Sequence, residues 1–267
     1  MMEQMHLPPK AKVSAFEREH PAASALLRRL LEPDEKVKLI TTGWRSWFVD
    51  DVFFGFPTIL ANRTLIIGTE RRLLLIHTSR AGLRPEGYVN EVPRDSVIGS
   101  IGLPLLSLFT SAGTVRFLGV PFAGKRALDF EHDPAAKPTA TPRALCPACF
   151  APQPVGIAAC GECGVGLKTP GSAAWRSLLL PGWGDAYLDS LPLGMLTAAV
   201  TMFLWLNVLA FMRAAESAGP GQIEAVQRME VGFLAMAGCA HVLAAAVAWG
   251  RAQHGLRAKS GELPARR

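Results

Sequence analysis

Several common signatures are missing from this chain of 267 residues, and each absence bears on the class of protein it can be. No nucleophile elbow, phosphate-binding loop or H-E-x-x-H pattern occurs, so the sequence favours a protein without catalytic activity. No apolar run follows the first charges at the N-terminus, and we therefore expect no cleaved export signal. The densest basic clusters are only pairs, which are typical of solvated faces and argue against a nucleic-acid binder: Arg28/Arg29, Arg71/Arg72, Lys125/Arg126 and Arg266/Arg267.

Only five cysteines occur, and four of them form two C-x-x-C pairs separated by ten residues. A two-residue gap lets both sulfurs of one turn reach a metal ion at about 2.3 Å, and glycines such as Gly161 and Gly164 relieve crowding there. Four thiolates complete the tetrahedral coordination of Zn²⁺, so the spacing predicts a structural zinc site. A redox dithiol is the alternative, but thioredoxin-type chemistry uses one pair beside a βαβ pattern. The four predicted ligands are Cys146, Cys149, Cys160 and Cys163.

The stretch from Leu145 to Leu167 resembles the short zinc ribbons, or rubredoxin-like knuckles, that lie beside transmembrane segments in many bacterial proteins. The resemblance implies a metal and no particular activity. Metal binding would stabilise a segment that is too small to hold a core alone.

Short apolar runs separated by turn residues extend from Glu35 to Phe122 and predict strands of a small β-barrel or sandwich. A helix is expected before these strands, from Ala22 to Leu31, because Pro33 prevents it from continuing. The segment Gly68-Thr69-Glu70-Arg71 predicts a hairpin turn, because glycine tolerates a positive φ. The predicted strands are Val37–Ile40, Thr64–Ile67, Leu73–His77, Val97–Ile101 and Thr114–Val120.

Three segments of this region, residues 30–37, 68–76 and 91–98, resemble bacterial pleckstrin-homology-like (PH-like) domains. The resemblance implies two bent sheets closed by a C-terminal helix, here near Lys125 to Phe130, and a binding module. Arg71 and Arg72 stand at a strand start, where they could contact phosphorylated lipid headgroups or simply form a solvated turn. A PH-like fold does not by itself imply phosphoinositide recognition.

Two segments near the C-terminus carry no charged residue, Leu191 to Met212 and Val231 to Gly250. At about 1.5 Å per residue each can span a hydrocarbon core of roughly 30 Å. Buried core helices of a soluble protein are the alternative, but no other segment is long enough to surround them. We therefore expect a transmembrane hairpin, introduced by the headgroup-level aromatics Trp175, Trp183 and Tyr187.

The charges that flank this hairpin predict its orientation. The connecting segment has two arginines against Glu216, Glu224 and Glu230, whereas the tail after Gly250 is basic. Because Lys and Arg are retained on the cytoplasmic side, we expect both termini to be cytoplasmic at the inner membrane. That placement also keeps the cysteine pairs in a reducing compartment.

The segment Leu178 to Leu188 resembles the Leu-Pro-Gly-x-Gly-x-x-Tyr-Leu motif of a family of small two-transmembrane-helix domains, a likeness that covers Ala174 to about Gly250. Pro181, Gly182 and Gly184 are expected to break the helix so that the chain turns at headgroup level. Asp185 and Asp189 replace the family's usual Gln or His and Gly, so no family role transfers to them.

Two other functions stay open at this point. A membrane enzyme or transport accessory would use a site near His241, Cys239 and Asp185, since polar groups at membrane depth are costly and often functional. In a simpler interpretation, a neutral His241 packs against the first transmembrane helix and forms hydrogen bonds with Asn207 and Thr201. A membrane-tethered nucleic-acid binder is disfavoured, because Lys168 is the only cation between Cys146 and Gly171.

The sequence therefore predicts an α+β multidomain membrane protein with a small PH-like β-barrel or sandwich, a short zinc ribbon and a two-helix transmembrane hairpin. We expect a non-catalytic membrane-anchored adaptor or sensor that holds Zn²⁺ and meets membrane lipid and a protein partner. The expected parts are an N-terminal helical segment (1–34), the PH-like domain (35–130), a linker (131–145), the ribbon (146–170), an interfacial segment (171–190), two transmembrane helices (191–212 and 231–250), an external loop (213–230) and a cytoplasmic tail (251–267).

Overall fold

The structure is a computed structural model that describes residues 16–18, 20–46, 63–78, 85–93, 98–101, 105–111, 113–121, 141–219 and 221–259. The chain forms two compact units. The first combines Met1–Leu167 with Gly255–Arg267, and the second is Lys168–His254. The first unit thus contains chain from both sides of the second.

An antiparallel sheet that curls into a half-barrel makes up most of the first unit. Its strands follow the order β5-β6-β7-β1-β2-β3-β4-β8, so neighbours in sequence mostly pair directly. Thr69 and Arg72 bound the turn between β2 and β3, so the predicted hairpin is present. Gly68 does not supply a positive φ to this turn, because it lies in β2 and pairs with Leu73. The strands are β1 (Val37–Ser46), β2 (Arg63–Thr69), β3 (Arg72–Thr78), β4 (Pro85–Pro93), β5 (Ile98–Ile101), β6 (Leu105–Thr110), β7 (Gly113–Leu118) and β8 (Arg143–Leu145).

Both faces of the central strands are buried. Helix α1 (Pro21–Leu30) places Leu27 and Leu30 on one face, against Leu65, Leu74 and their neighbours. The opposite face forms a second core that includes Ile66 and Phe117. Burial on both faces explains why the sequences of β2 and β3 are continuous apolar runs and not alternating ones. The predicted mixed α+β class is confirmed.

Three strands, β4, β6 and β8, lie outside the runs that predicted strands. β4 begins and ends at proline and contains Gly87, residues that are depleted in strands, so its sequence gives a weak strand signal. β8 has three residues and occupies the end of the predicted linker, where it pairs with β4. The expected closing helix near Lys125 to Phe130 lies outside the described residues.

The second unit is helical. Its elements are α2 (Pro170–Leu179), α3 (Trp183–Tyr187), α4 (Leu191–Ser217) and α5 (Ile223–Ala252). Within the described chain, α4 and α5 are the helices long and apolar enough to cross a membrane, and both extend beyond the predicted spans. Only 17% of the most apolar stretch of α4 and 22% of that of α5 is buried within the protein. Large apolar side chains on both helices therefore face outward.

Candidate metal centre

The four cysteines stand on two turns that repeat the same backbone pattern. In the first turn the Cys146 amide donates to the Ala151 carbonyl, and the Phe150 amide donates to the Cys146 carbonyl, both at 2.9 Å. In the second, Cys160 pairs with Val165, and Gly164 with Cys160, at the same distances. Each turn is closed by an isolated bridge, Leu145 to Pro152 and Ala159 to Gly166. The chain thus builds two equivalent knuckles that face one another.

The fifth residue of each knuckle adopts a left-handed backbone. Gly164 has a φ of 72°, which glycine accepts freely, and Phe150 has a φ of 61° at the matching position. A left-handed phenylalanine is uncommon. Its ring packs against the α1 face of the sheet and under the Arg29 guanidinium, 4.9 Å from the ring centroid. Gly161, also expected to relieve crowding, has no positive φ, and a Cβ added there would have no atom closer than 3.7 Å.

The four sulfurs form a compact set. All lie within 4.8 Å of one another, and the Cys146–Cys163 and Cys149–Cys160 pairs are each 3.7 Å apart. A metal ion with four sulfurs at about 2.3 Å in tetrahedral geometry requires a sulfur–sulfur separation of about 3.8 Å. A disulfide would instead need about 2.05 Å. The donor set therefore fits a tetrahedral cation of the size and softness of Zn²⁺, and all four predicted ligands come together.

Burial and hydrogen bonds from backbone amides act in opposite directions on the pKa values of the two buried cysteines. Burial raises the pKa of Cys146 to about 12, although the amides of Cys149 and Ala148 donate to its sulfur. Burial acts in the same direction on Cys160, but the amides of Cys163 and Glu162, with neighbouring thiols, hold its pKa at about 7. A bound cation supplies the positive charge that stabilises a buried thiolate. Metal binding would therefore release protons from the thiols.

Beneath the sulfurs lies a small apolar core. Cys146 and Cys160 are buried, whereas Cys149 and Cys163 are exposed. Val165 and Leu167 pack beside the buried cysteines, together with Leu256 from the far end of the chain. Leu256 could not have been assigned here from sequence, because about 90 residues separate it from the second knuckle.

Arg72, one of the two arginines considered for lipid contact, is held inside the first unit. Its guanidinium donates to both oxygens of Glu35, at 2.6 and 2.9 Å, to Glu91 at 2.8 Å and to the Leu30 carbonyl at 2.8 Å. Arg71 pairs with Glu32 and stays more than half exposed. Burial acts to raise the pKa of Glu35, but hydrogen bonds from Arg72, Thr69 and the Glu32 amide hold it at about 2. The network joins the end of α1 to β3 and β4.

In the second unit the structure gives Asp185 and His241 separate partners. Asp185 accepts from Arg251 at 2.9 Å, and both side chains are almost completely buried; Arg251 also donates to Ser190. His241 lies 2.7 Å from the Leu178 carbonyl, and its other ring nitrogen accepts from the Trp205 indole at 3.2 Å. His241 and Arg251 are ten residues apart on α5, or about 15 Å along its axis.

Asn207 and Thr201, the expected partners of His241, bond instead to carbonyls within α4, those of Phe203 and Thr197. The sequence did not predict Trp205 and the Leu178 carbonyl as its partners. The carbonyl lies in the last turn of α2, where no intrahelical donor remains, and this is the only sequence cue to its role.

Comparison of the chain with protein-family models, curated proteins and solved structures gives no match. The fold and the site define the class by themselves. This is a mixed α+β protein that combines a curled antiparallel sheet, four cysteines able to hold a metal ion, and two long apolar helices.

Proposed function

We propose that the protein is a non-catalytic, membrane-anchored adaptor or sensor whose PH-like domain and zinc ribbon act at the cytoplasmic face of the inner membrane. The observation that carries this proposal is the closed four-sulfur set. Four protein ligands leave no coordination position for a substrate, so the metal has a structural role. We propose zinc as the metal because four thiolates in tetrahedral geometry form a common structural zinc site.

The low burial of α4 and α5 supports the membrane anchor. Core helices of a soluble protein would be mostly buried, whereas these expose large apolar side chains along their length, including Phe203, Leu206 and Leu234. Trp175, Leu179 and Trp183 are also exposed, and they lie on α2 and α3 just before the first long helix. Aromatic and apolar side chains at that position suit the lipid headgroup region.

The make-up of the first unit supports placing both ends of the hairpin on one side. Gly166 precedes the helical unit and Lys259 follows it, yet the Lys259 amide donates to the Gly166 carbonyl at 2.9 Å. Two segments that touch cannot lie across a bilayer from one another. The basic tail then favours the cytoplasmic side.

For the sheet domain we favour a protein partner over a lipid headgroup. The Arg72 donors are engaged by Glu35, Glu91 and Leu30, which removes one of the two candidate lipid contacts. The curled sheet is compatible with the PH-like resemblance. Such a domain serves as a binding module.

The first experiment measures the zinc content of the detergent-purified full chain by elemental analysis. We expect one zinc per chain, lost in a Cys160→Ser/Cys163→Ser variant, because two thiolates cannot complete the site. Cys239→Ser is the matched control: this cysteine lies on α5, outside the cluster, and its loss should leave the zinc content unchanged. Absence of zinc in the native chain, or its retention in the double variant, would overturn the metal assignment.

A further inference from the structure

Residues Gly255–Lys259, here named the C-terminal strap, follow α5 and belong to the first unit. We infer that the strap docks on the cysteine centre only when metal is bound, so that metal occupancy decides whether the chain after the second apolar helix is tied to the chain before the first. This inference rests on the proposed metal binding. It adds a regulated contact to a site otherwise assigned a structural role.

On its ribbon side the strap is part of the metal centre's own core. Leu256 is 1% exposed and packs in the cluster that contains Cys146 and Cys160. Ala258 forms an antiparallel bridge with Leu167. The Lys259 amide completes this edge by donating to the carbonyl of Gly166, the residue whose bridge closes the second knuckle. These contacts of the strap therefore depend on residues that the knuckles position.

On its other side the strap lies against β4. Gly255 approaches so closely that an added Cβ would be 2.5 Å from the Tyr88 Cβ and 2.9 Å from the Asn90 Oδ1. Arg257 is buried, with its guanidinium 5.5 Å from the centroid of the Tyr88 ring. The strap thus bridges the sheet and the ribbon within one unit.

Metal dependence follows from the size of the ribbon core. A handful of buried side chains cannot offset the conformational entropy that is lost when roughly twenty residues become ordered. Folding free energy in such small modules comes from the metal itself. When the ion leaves, the knuckles lose their order, and Leu256 and Ala258 lose their partners. The sheet keeps the core around Ile66 and Phe117, which contains no ribbon residue.

Hydrogen exchange of the full chain in detergent, followed by mass spectrometry of a peptide covering residues 253–259, tests this inference. Zinc content is measured on the same samples. We expect exchange in this peptide to accelerate at least tenfold when zinc is removed by a chelator, and to return to its original rate when zinc is restored. The Cys160→Ser/Cys163→Ser variant should match the chelated protein.

A second variant separates docking of the strap from binding of the metal. Gly255→Ala should accelerate exchange in the same peptide while zinc content stays unchanged, since its clash is with Tyr88 and not with a ligand. Gly219→Ala, with no atom within 4 Å of the added Cβ, is the matched control and should leave exchange unchanged.

The outcomes are distinguishable. Zinc loss with unchanged exchange in the strap would overturn the inference and leave the structural metal site standing. A native chain that binds no zinc would overturn both. Unchanged exchange in Gly255→Ala would refute the docking of the strap against β4.

Discussion

Glu35 carries a largely buried ion pair in the described part of the first unit. Its carboxylate side chain is fully buried and receives Arg72, Thr69 and the Glu32 amide. Removal of one partner from a buried pair leaves the other charge uncompensated, which typically costs about 3–5 kcal/mol. Glu91 still faces Arg72, so the lower end of that range applies.

We therefore expect Glu35→Gln to destabilise the protein by about 3 kcal/mol. The measurement is the apparent melting temperature of detergent-purified, zinc-loaded chain. Glu32→Gln is the matched control, because the Glu32–Arg71 pair is more than half exposed and such pairs contribute less than about 1 kcal/mol. Equal effects of the two substitutions would contradict the role given to Glu35.

The same pair predicts a pH dependence. The pKa of Glu35 is about 2 in the folded protein against an ordinary value of 4.5, so its contribution is complete above about pH 4.5 and is lost as the pH falls towards 2. The stability difference between the native chain and Glu35→Gln should narrow over that interval. Protonation of the cysteines affects both proteins alike and cancels in this difference. A constant difference down to about pH 3 would refute the assignment.

At the scale of elements, glycine determines how α2, α3 and α4 approach one another. A Cβ on Gly184 would collide with the Ala173 carbonyl and the Ser177 hydroxyl, and would lie 2.9 Å from the Ala248 methyl. Gly182 and Gly194 meet backbone to backbone in the same way. The sequence predicts only that Gly182 and Gly184 break the helix, but the structure also uses them to bring helices into contact.

Gly184→Ala should therefore destabilise the helical unit by about 1–3 kcal/mol, the usual cost of overpacking. Gly238→Ala, in the middle of α5 with no atom within 4 Å of the added Cβ, should be neutral or slightly stabilising, since alanine favours helix. Thermal aggregation of the detergent-purified variants is the readout. A Gly184→Ala protein as stable as Gly238→Ala would show that the close approach is not required.

At the scale of the whole molecule, the contact between Gly166 and Lys259 requires both ends of the helical unit to share one side of any membrane. A reporter enzyme that is active only outside the cytoplasm should be inactive when fused after Arg267 and active when inserted at Gly219, between α4 and α5. Activity of the C-terminal fusion would overturn the proposed orientation.

Extraction with alkaline carbonate tests the membrane anchor itself. We expect the chain to stay in the membrane pellet, because two apolar helices that span the bilayer resist this treatment. Release of the chain by carbonate would overturn the membrane anchor.

The sequence by itself determined the features that depend on local spacing. Two C-x-x-C turns, two uncharged runs and the hairpin at Gly68–Arg71 are each specified by residues close together in the chain. Tetrahedral coordination, bilayer thickness and turn geometry act directly on such spacings. The cysteine set and the two apolar helices could therefore be predicted. Strand β4 could not, because its prolines and Gly87 are unfavourable in strands and it forms through its pairing with β3.

Only the tertiary structure decided which distant residues share a site. Arg72 faces Glu35 and Glu91, Asp185 faces Arg251, and Leu256 completes the core beneath Cys146 and Cys160. No local pattern encodes these partners. A buried charge is costly unless it is paired, and the small apolar core of the metal centre needs additional side chains to cover it. In this protein residues remote in sequence provide both the partner charges and the additional side chain.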